Sequence, residues 1–156
     1  MAVTAGVGSM DETEVANYLR DSRCGILTVV DGDKPYCVAV EHYFDGKSLY
    51  FVTSTREGQR KIDCIKNNAN ACYMVFDSRR EKPEIVKKGI RCRSVLVEGK
   101  ISLAGIKEMD TKEMGKVKVQ MLKLDAGQIS NWKCPSKTCE WQQAWFERYP
   151  NLVADI

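Results

Sequence analysis

The sequence predicts one α+β domain that is mainly β, built on an antiparallel sheet or small barrel. A chain of 156 residues and 17.6 kDa favours a single domain with one core, here taken as residues 1–156. Five or six apolar, β-branched segments separated by turn residues precede most of the predicted helix. This order differs from the alternation of strands and helices in a Rossmann fold.

A short amphipathic helix is predicted over residues 10–20. Ser9 and Glu12 have the spacing of a capping box, with a serine at the N-cap and a glutamate three residues later. Val15 and Leu19 then follow at helical spacing. The predicted helix therefore has one apolar face.

The strands are predicted from short apolar runs bounded by turn signals. The runs cover residues 24–30, 36–44, 48–53, 71–77 and 91–103. Asp45-Gly46 between two of these runs is a strong hairpin signal. Gly99, inside the last run, indicates a bulge or a turn.

Further helix is predicted in two places. Ser54 and Glu57 form a second capping-box pattern before a helix over residues 58–68. Apolar residues at helical intervals also predict a C-terminal helical tail over about residues 105–156; they are Ile106, Met109, Val117, Met121, Leu124, Trp141, Trp145 and Tyr149.

Charge and hydropathy exclude several classes of protein. A net charge of +3 and a pI near 8.4, without a dense basic stripe, argue against nucleic-acid binding. No apolar run approaches the roughly 20 residues that span a bilayer, so no membrane association is expected. Residues 1–9 lack the features of a secretory signal, and a cytoplasmic location is expected.

The seven cysteines are interpreted mainly as unpaired thiols. Five are scattered singly through apolar segments, which suits a reducing compartment. Cys134 and Cys139 are close enough in sequence for a local disulfide, or for a zinc site that recruits distant cysteines. His42 is the one histidine, so no metal site is expected, and it is interpreted as a half-buried strand residue.

One segment has the composition of a monophosphate site. Residues 53–61 combine the hydroxyls of Thr53 and Ser54, a predicted helix start, and the cations Arg60 and Lys61. Free N–H groups at a helix start attract an anion, and Arg and Lys neutralise it. The alternative is an ordinary capped surface helix with solvated charges.

The order of these features resembles a known family. In chain order they are Pro35-Tyr36, Asp45-Gly46, Leu49-Tyr50-Phe51, Arg60-Lys61-Ile62, Asn67-Asn68, Val75 and an Arg-Ser-Val strand over residues 93–100. Together they resemble the pyridoxamine 5′-phosphate oxidase-like, FMN-binding split-barrel superfamily, over about residues 10–103. Length and the Arg-Ser-Val strand are most similar to its nitroimidazole-reductase-like branch.

The resemblance implies a six-stranded antiparallel split β-barrel with flanking helices, and a homodimer with FMN at the subunit interface. It implies that a strand backbone lies beside the isoalloxazine ring at Cys37, Val38, Ala39, Val40 and Glu41. It further implies that Thr53 and Ser54 contribute to the cofactor site, that Arg60 and Lys61 bind the phosphate, and that Arg93 and the C-terminal tryptophans are additional candidates.

Two differences between this sequence and the family pattern narrow the range of expected activities. Val52 stands where the nitroimidazole-reductase branch often has histidine, and the pyridoxal-phosphate-binding residues of the true oxidases have no match. The resemblance therefore implies a small FMN-dependent oxidoreductase of unknown substrate, with NAD(P)H as a possible electron donor. The alternatives are a flavin carrier or sensor, and a haem protein ligated by His42 or a cysteine.

Overall fold

The computed structural model describes residues 2–3, 8–78, 91–135 and 151, which form two helices and eight strands. The elements are β1 (Ala2–Val3), α1 (Glu12–Asp21), β2 (Cys24–Asp31), β3 (Lys34–Glu41), β4 (Tyr43–Phe44), β5 (Ser48–Ser54), α2 (Arg60–Asn67), β6 (Asn70–Asp77), β7 (Arg93–Thr111) and β8 (Gly115–Lys133). No helix in this part of the chain is long and apolar enough to cross a membrane.

The strands form one sheet in the order β3-β2-β6-β7-β8-β5-β4, and β1 adds to β8. Neighbours along this order are antiparallel, while β1 runs parallel to β8. The predicted mainly β, antiparallel split barrel is confirmed. The strand number differs slightly from the predicted six, since the described part of the structure has six strands of seven residues or more and the two-residue strands β1 and β4. One of the long strands, β8, lies where a helix was predicted.

The predicted helix beginning near residue 105 is wrong for the stretch that the structure describes. Strand β7 continues to Thr111, and after a turn β8 begins at Gly115, which has a φ of +65°. Val117 and Val119 alternate with lysines, which is the period of a strand. Val117, Met121 and Leu124 also lie four and three residues apart, which is the spacing of a helix. Cys139, Trp141, Trp145 and Tyr149 lie outside the described residues.

Both helices begin later than their predicted capping boxes. The N-cap of α1 is Asp11, whose carboxylate accepts a hydrogen bond from the N–H of Glu14 at 2.8 Å. The Glu14 side chain accepts from the N–H of Asp11 at 3.2 Å, so the capping box is present two residues after the predicted one. The N-cap of α2 is Gln59, and it makes no side-chain capping bond. The predicted box at Ser54 is therefore wrong.

The core fills the inside of the curved sheet and is closed by α1. Alternate strand residues point inward, as expected for a sheet with one buried face. The largest side chains with almost no exposure are Tyr18, Tyr73, Phe51, Met10, Leu19, Leu27, Leu49, Ile101, Leu122, Leu124 and Ile129. Across this core, the Phe51 ring of β5 lies 5.0 Å from the Tyr73 ring of β6, measured between ring centres.

The predicted irregularity at Gly99 is confirmed as a bulge. The β7–β8 pairing shifts between Glu98 and Gly99, so that Gly99 faces Ala126 and Gly127 is the extra residue. A Cβ at Gly99 would lie 2.0 Å from the carbonyl oxygen of Asp125. The bulge therefore requires a residue without a side chain at position 99.

We expect Gly99→Ala to destabilise the protein by about 1–3 kcal/mol or more, because backbone atoms must move to admit the methyl group. Gly127→Ala is the matched control, since a Cβ there meets its nearest atom at 3.5 Å. Urea unfolding of both variants measures the difference. Equal stability of the two variants would show that the bulge accommodates a side chain.

Candidate functional site

A cleft of about 960 Å³ opens between the end of β3 and the outer face of β5 and β8. Its lining consists of Ala39, Val40, Glu41, His42, Tyr43, Asp45, Tyr50, Val52, Lys61 and Met121. Four of the predicted site residues, Ala39, Val40, Glu41 and Lys61, are among them. This cleft is the candidate site.

The charge and polarity of the cleft change along β5. Tyr50 and Val52 lie on one face of that strand. The register partners of Tyr50 are Tyr43 and Lys123, which pairs with Asp125 at 2.7 Å, and the partner of Val52 on β8 is Met121. The acidic turn at Asp45 precedes the strand, and α2 with Lys61 follows it. The cleft therefore has an acidic, aromatic end, an apolar middle and a basic end.

The acidic end is held by a turn. The carboxylate of Asp45 accepts hydrogen bonds from the N–H groups of Lys47 and Ser48 at 2.8 and 2.7 Å. These bonds, that of Ser48 first, hold the pKa of Asp45 below its ordinary value. A hydrogen bond to this carboxylate raises the pKa of the Tyr50 hydroxyl. Asp45 is thus a fixed negative charge beside the aromatic pair.

One wall of the cleft is the edge strand β3, which pairs within the described sheet only with β2. Ala39 and Glu41 are exposed on its outer face, and Val40 is half-buried. Cys37 and Val38 lie earlier on the strand, outside the cleft lining. An edge strand presents backbone N–H and C=O groups on its open side, so β3 offers both donors and acceptors.

The two adjacent cations of α2 have different surroundings. Lys61 is half-buried and lines the cleft. The Arg60 guanidinium contacts the carboxylate of Asp31 at 2.6 and 2.7 Å and lies 4.4 Å from the centre of the Tyr36 ring. Hydrogen bonding to Asp31 raises the pKa of Arg60. Arg60 is therefore already paired, and only Lys61 of the two is part of the cleft lining.

Thr53, Ser54 and Arg93 lie outside the lining of the cleft. The buried Thr53 hydroxyl donates a hydrogen bond to Gln59. Ser54 is exposed and lines a second, smaller cleft of about 360 Å³. The Arg93 guanidinium pairs with the Asp77 carboxylate at 3.2 Å and lies over the ring of the core residue Tyr18. The structure thus brings together part of the predicted set.

His42 interrupts the strand predicted over residues 36–44 and is anchored on both sides. Its Nε2–H donates to the carbonyl oxygen of Leu19 at 2.8 Å, which leaves Nδ1 to accept from the Tyr73 hydroxyl, also at 2.8 Å. The Tyr73 oxygen is 3.1 Å from the carbonyl oxygen of Val40. Both ring nitrogens of His42 are engaged, so ligating haem would require breaking one of these bonds.

Sequence reasoning missed the cleft residues Tyr43, Asp45, Tyr50 and Met121. Tyr43 and Tyr50 fall in predicted strands, and Tyr43 is 68% exposed. The Asp45-Gly46 signal predicts a hairpin here but not its register, in which Tyr43 faces Tyr50. Met121 had no such signal, because its strand was predicted as helix.

Comparison with known proteins identifies one matching family. The sequence model of the family described as pyridoxamine 5′-phosphate oxidase matches residues 11–126, which is more than half of the chain. No curated protein sequence matches the chain.

Several solved structures share the fold. Rv2991 from Mycobacterium tuberculosis superposes with a TM-score of 0.61 at 18% identity, covering 83% of this chain and 88% of its own. General Stress Protein 26 from Bacillus anthracis gives 0.56 at 20% identity, with 79% and 95% covered. An FAD binding protein from Mycobacterium smegmatis gives 0.54 at 14% identity, with 80% and 95% covered. At these identities the likeness shows the fold alone.

We expect His42 to make stability depend on pH. Burial lowers the pKa of His42 below 6.5, so the unfolded chain takes up a proton before the folded protein does. The unfolding free energy should therefore fall as the pH drops through about 6.5, and level off below the folded pKa. Chemical denaturation at a series of pH values, with His42→Gln as the non-titrating variant, measures this. An equal slope in both proteins would assign the pH dependence to other groups.

Proposed function

The chain belongs to the pyridoxamine 5′-phosphate oxidase family, and we propose that it binds FMN in the cleft and acts as a small flavin-dependent oxidoreductase. One observation carries the proposal. An exposed edge strand, an apolar floor and a lysine at a helix start face the same cleft of about 960 Å³. Such a site offers a separate environment to each part of a flavin mononucleotide.

The residues present fit the cofactor. Lys61 would neutralise the phosphate, beside the N–H groups that open α2 and have no intrahelical acceptor. Val52 and Met121 form an apolar surface for a flat ring, and β3 offers backbone donors and acceptors to the polar rim of that ring. Bound FMN would supply the redox chemistry, while the protein supplies orientation and electrostatics.

The residues of the cleft support a specific division of roles. We assign the phosphate to Lys61, and the ring to the strand at Ala39, Val40 and Glu41. Arg60 would assist the phosphate only with guanidinium N–H groups that Asp31 leaves available. This assignment goes beyond the family resemblance, because it gives the adjacent cations Arg60 and Lys61 different roles.

We propose that the chain is nearest the nitroimidazole-reductase-like branch of the superfamily. The basis is the Arg-Ser-Val sequence of the strand that begins at Arg93. Val52, which stands where that branch often has histidine, is 50% exposed in the middle of the cleft. We therefore expect the electron acceptor to be a compound other than a nitroimidazole. Cys24, Cys37, Cys64 and Cys72 are free thiols, which suits a reducing compartment, so we also propose a cytoplasmic location.

Turnover distinguishes an oxidoreductase from a flavin carrier. The FMN-loaded protein is mixed with NADH or NADPH without oxygen, and flavin absorbance is followed by stopped flow. Bleaching at a rate that saturates with the nicotinamide supports the enzyme. FMN that binds but is not reduced by either donor supports a carrier or sensor.

We further propose that the protein is a homodimer with the flavin at the subunit interface. The β7–β8 hairpin exposes Met109 by 42% and Met114, in its turn, by 72%, and Val52 of β5 is 50% exposed. By strand alternation, Met109 and Val52 lie on the same face of the sheet. Exposed apolar side chains on one face favour an interaction surface. A second copy of the chain would remove them from water and complete the open side of the cleft.

Sedimentation equilibrium should show a dimer at micromolar concentration. We expect Met109→Glu to weaken the dimer, because it places a charge on the apolar hairpin. Lys112→Glu, which changes a charge at the exposed tip of the same hairpin, is the control and should remain dimeric. A monomeric wild-type protein at this concentration contradicts the proposal.

We expect Lys61→Ala to weaken FMN about 10- to 150-fold, the effect of losing a charge-assisted hydrogen bond of about 1.5–3 kcal/mol. Riboflavin lacks the phosphate and should be nearly unaffected. Titration calorimetry with both flavins measures the difference.

Two variants on the same helix serve as controls for Lys61. Lys66→Ala removes an exposed lysine from the last turn of α2 and should leave FMN affinity unchanged. Arg60→Ala should have a smaller effect than Lys61→Ala, because Asp31 already pairs with Arg60. An equal loss of FMN and riboflavin in Lys61→Ala would show that the lysine supports the fold instead of the phosphate.

A further inference from the structure

The side-chain amide of Gln59 closes the loop between β5 and α2 from within. Its Oε1 accepts a hydrogen bond from the Thr53 hydroxyl at 2.8 Å. Its Nε2 donates to the carbonyl oxygens of Ser54 at 2.6 Å and Arg56 at 2.9 Å. Both N–H donors of the amide are thus used, as is its oxygen, and all the partners lie within six residues of Gln59.

These contacts fix the orientation of the amide. Rotating it by 180° would place Oε1 against two carbonyl oxygens, both of which are acceptors. Thr53 is only 8% exposed, so its hydroxyl depends on a partner inside the protein, and leaving such a group unpaired is costly. Thr53 and Gln59 therefore act as one unit.

The same contacts explain the unusual start of α2. Gln59 is the N-cap, but its side chain reaches back into the loop instead of capping the helix. Its backbone carbonyl accepts from the N–H groups of Ile62 and Asp63 at 2.9 and 3.2 Å. No side chain of the described loop caps the first turn, on which Arg60 and Lys61 lie.

We propose that Gln59 is a positioning residue for the phosphate end of the cleft, and that Thr53 acts through Gln59 without contacting the phosphate. This rests on the proposed function, in which Lys61 binds the FMN phosphate. By holding Ser54 and Arg56, the Gln59 amide sets the path of the chain into α2 and thus the position of Lys61. The Thr53 hydroxyl has one proton, and that proton is donated to Gln59.

A double-mutant cycle tests the proposal in the full chain. Gln59→Met removes the amide at nearly constant size, and Thr53→Val removes the hydroxyl at nearly constant shape. We expect Gln59→Met to weaken FMN roughly 3- to 10-fold for lost hydrogen bonding, and Thr53→Val to weaken it by no more than that. The double variant should weaken FMN no further than Gln59→Met alone, because Thr53 acts through Gln59. Riboflavin affinity should stay at the wild-type value, which a general loss of structure would not allow.

Thr53→Ser keeps the hydroxyl and should retain wild-type FMN affinity, provided that circular dichroism shows a folded protein. This conservative variant also gives a result if Gln59→Met does not fold. Loss of FMN affinity in Thr53→Val but not in Gln59→Met would show direct contact between Thr53 and the phosphate, and would overturn the proposal. Additive losses in the double variant, or equal losses for both flavins, would also overturn it.

Failure of the proposed function would look different. In that case the wild-type protein binds FMN no more tightly than riboflavin, and Lys61→Ala changes neither. If Lys61→Ala selectively weakens FMN while Gln59→Met leaves it unchanged, the phosphate site stands and the role of Gln59 is refuted.

Discussion

The buried hydroxyl of Tyr73 is the contact on which the wall of the cleft depends. The ring is fully buried, so its hydroxyl must find a partner inside the protein. It reaches Nδ1 of His42 and the carbonyl oxygen of Val40 by crossing β2 at Gly25, where a Cβ would lie 2.7 Å from the hydroxyl oxygen. His42 in turn holds the carbonyl of Leu19. Strand β6, His42 and helix α1 are therefore joined by hydrogen bonds at one point beneath the candidate site, where the Tyr73 hydroxyl also contacts β3 at Val40 and β2 at Gly25.

Above this point, one strand sets the polarity of the cleft. β5 carries Tyr50 and Val52 on one face, with the Asp45 turn before it and α2 after it. The negative charge of Asp45 and the positive charge of Lys61 are consequently held at opposite ends of the same strand. A ligand with a phosphate at one end is favoured in one orientation, because the opposite orientation would place its charge beside Asp45.

Adjacent residues in the phosphate-like segment prove to have separate tasks. Arg60 pairs with Asp31, 29 residues earlier in the chain, while Lys61 lines the cleft. Thr53 donates to Gln59, and Ser54 holds the same glutamine through its carbonyl oxygen. The sequence of this segment predicts a single anion site. In the structure, most of its polar residues shape the loop, and Lys61 lines the candidate site.

The sequence by itself determined the elements whose signals are local. Turn residues such as Asp45-Gly46 and the apolar runs around them predicted the long strands from β2 to β6, the first part of β7 and the bulge at Gly99 closely. The family resemblance also implied a cofactor role for residues 39–41 and for Lys61, and the structure places all four in the lining of the cleft. Tertiary structure alone decided that residues 106–124 form a hairpin, because widely spaced apolar residues fit both helix and strand until pairing partners are present. It also decided which cation faces the cleft and what anchors His42, since Asp31, Tyr73 and Leu19 become neighbours of these residues only when the sheet has folded.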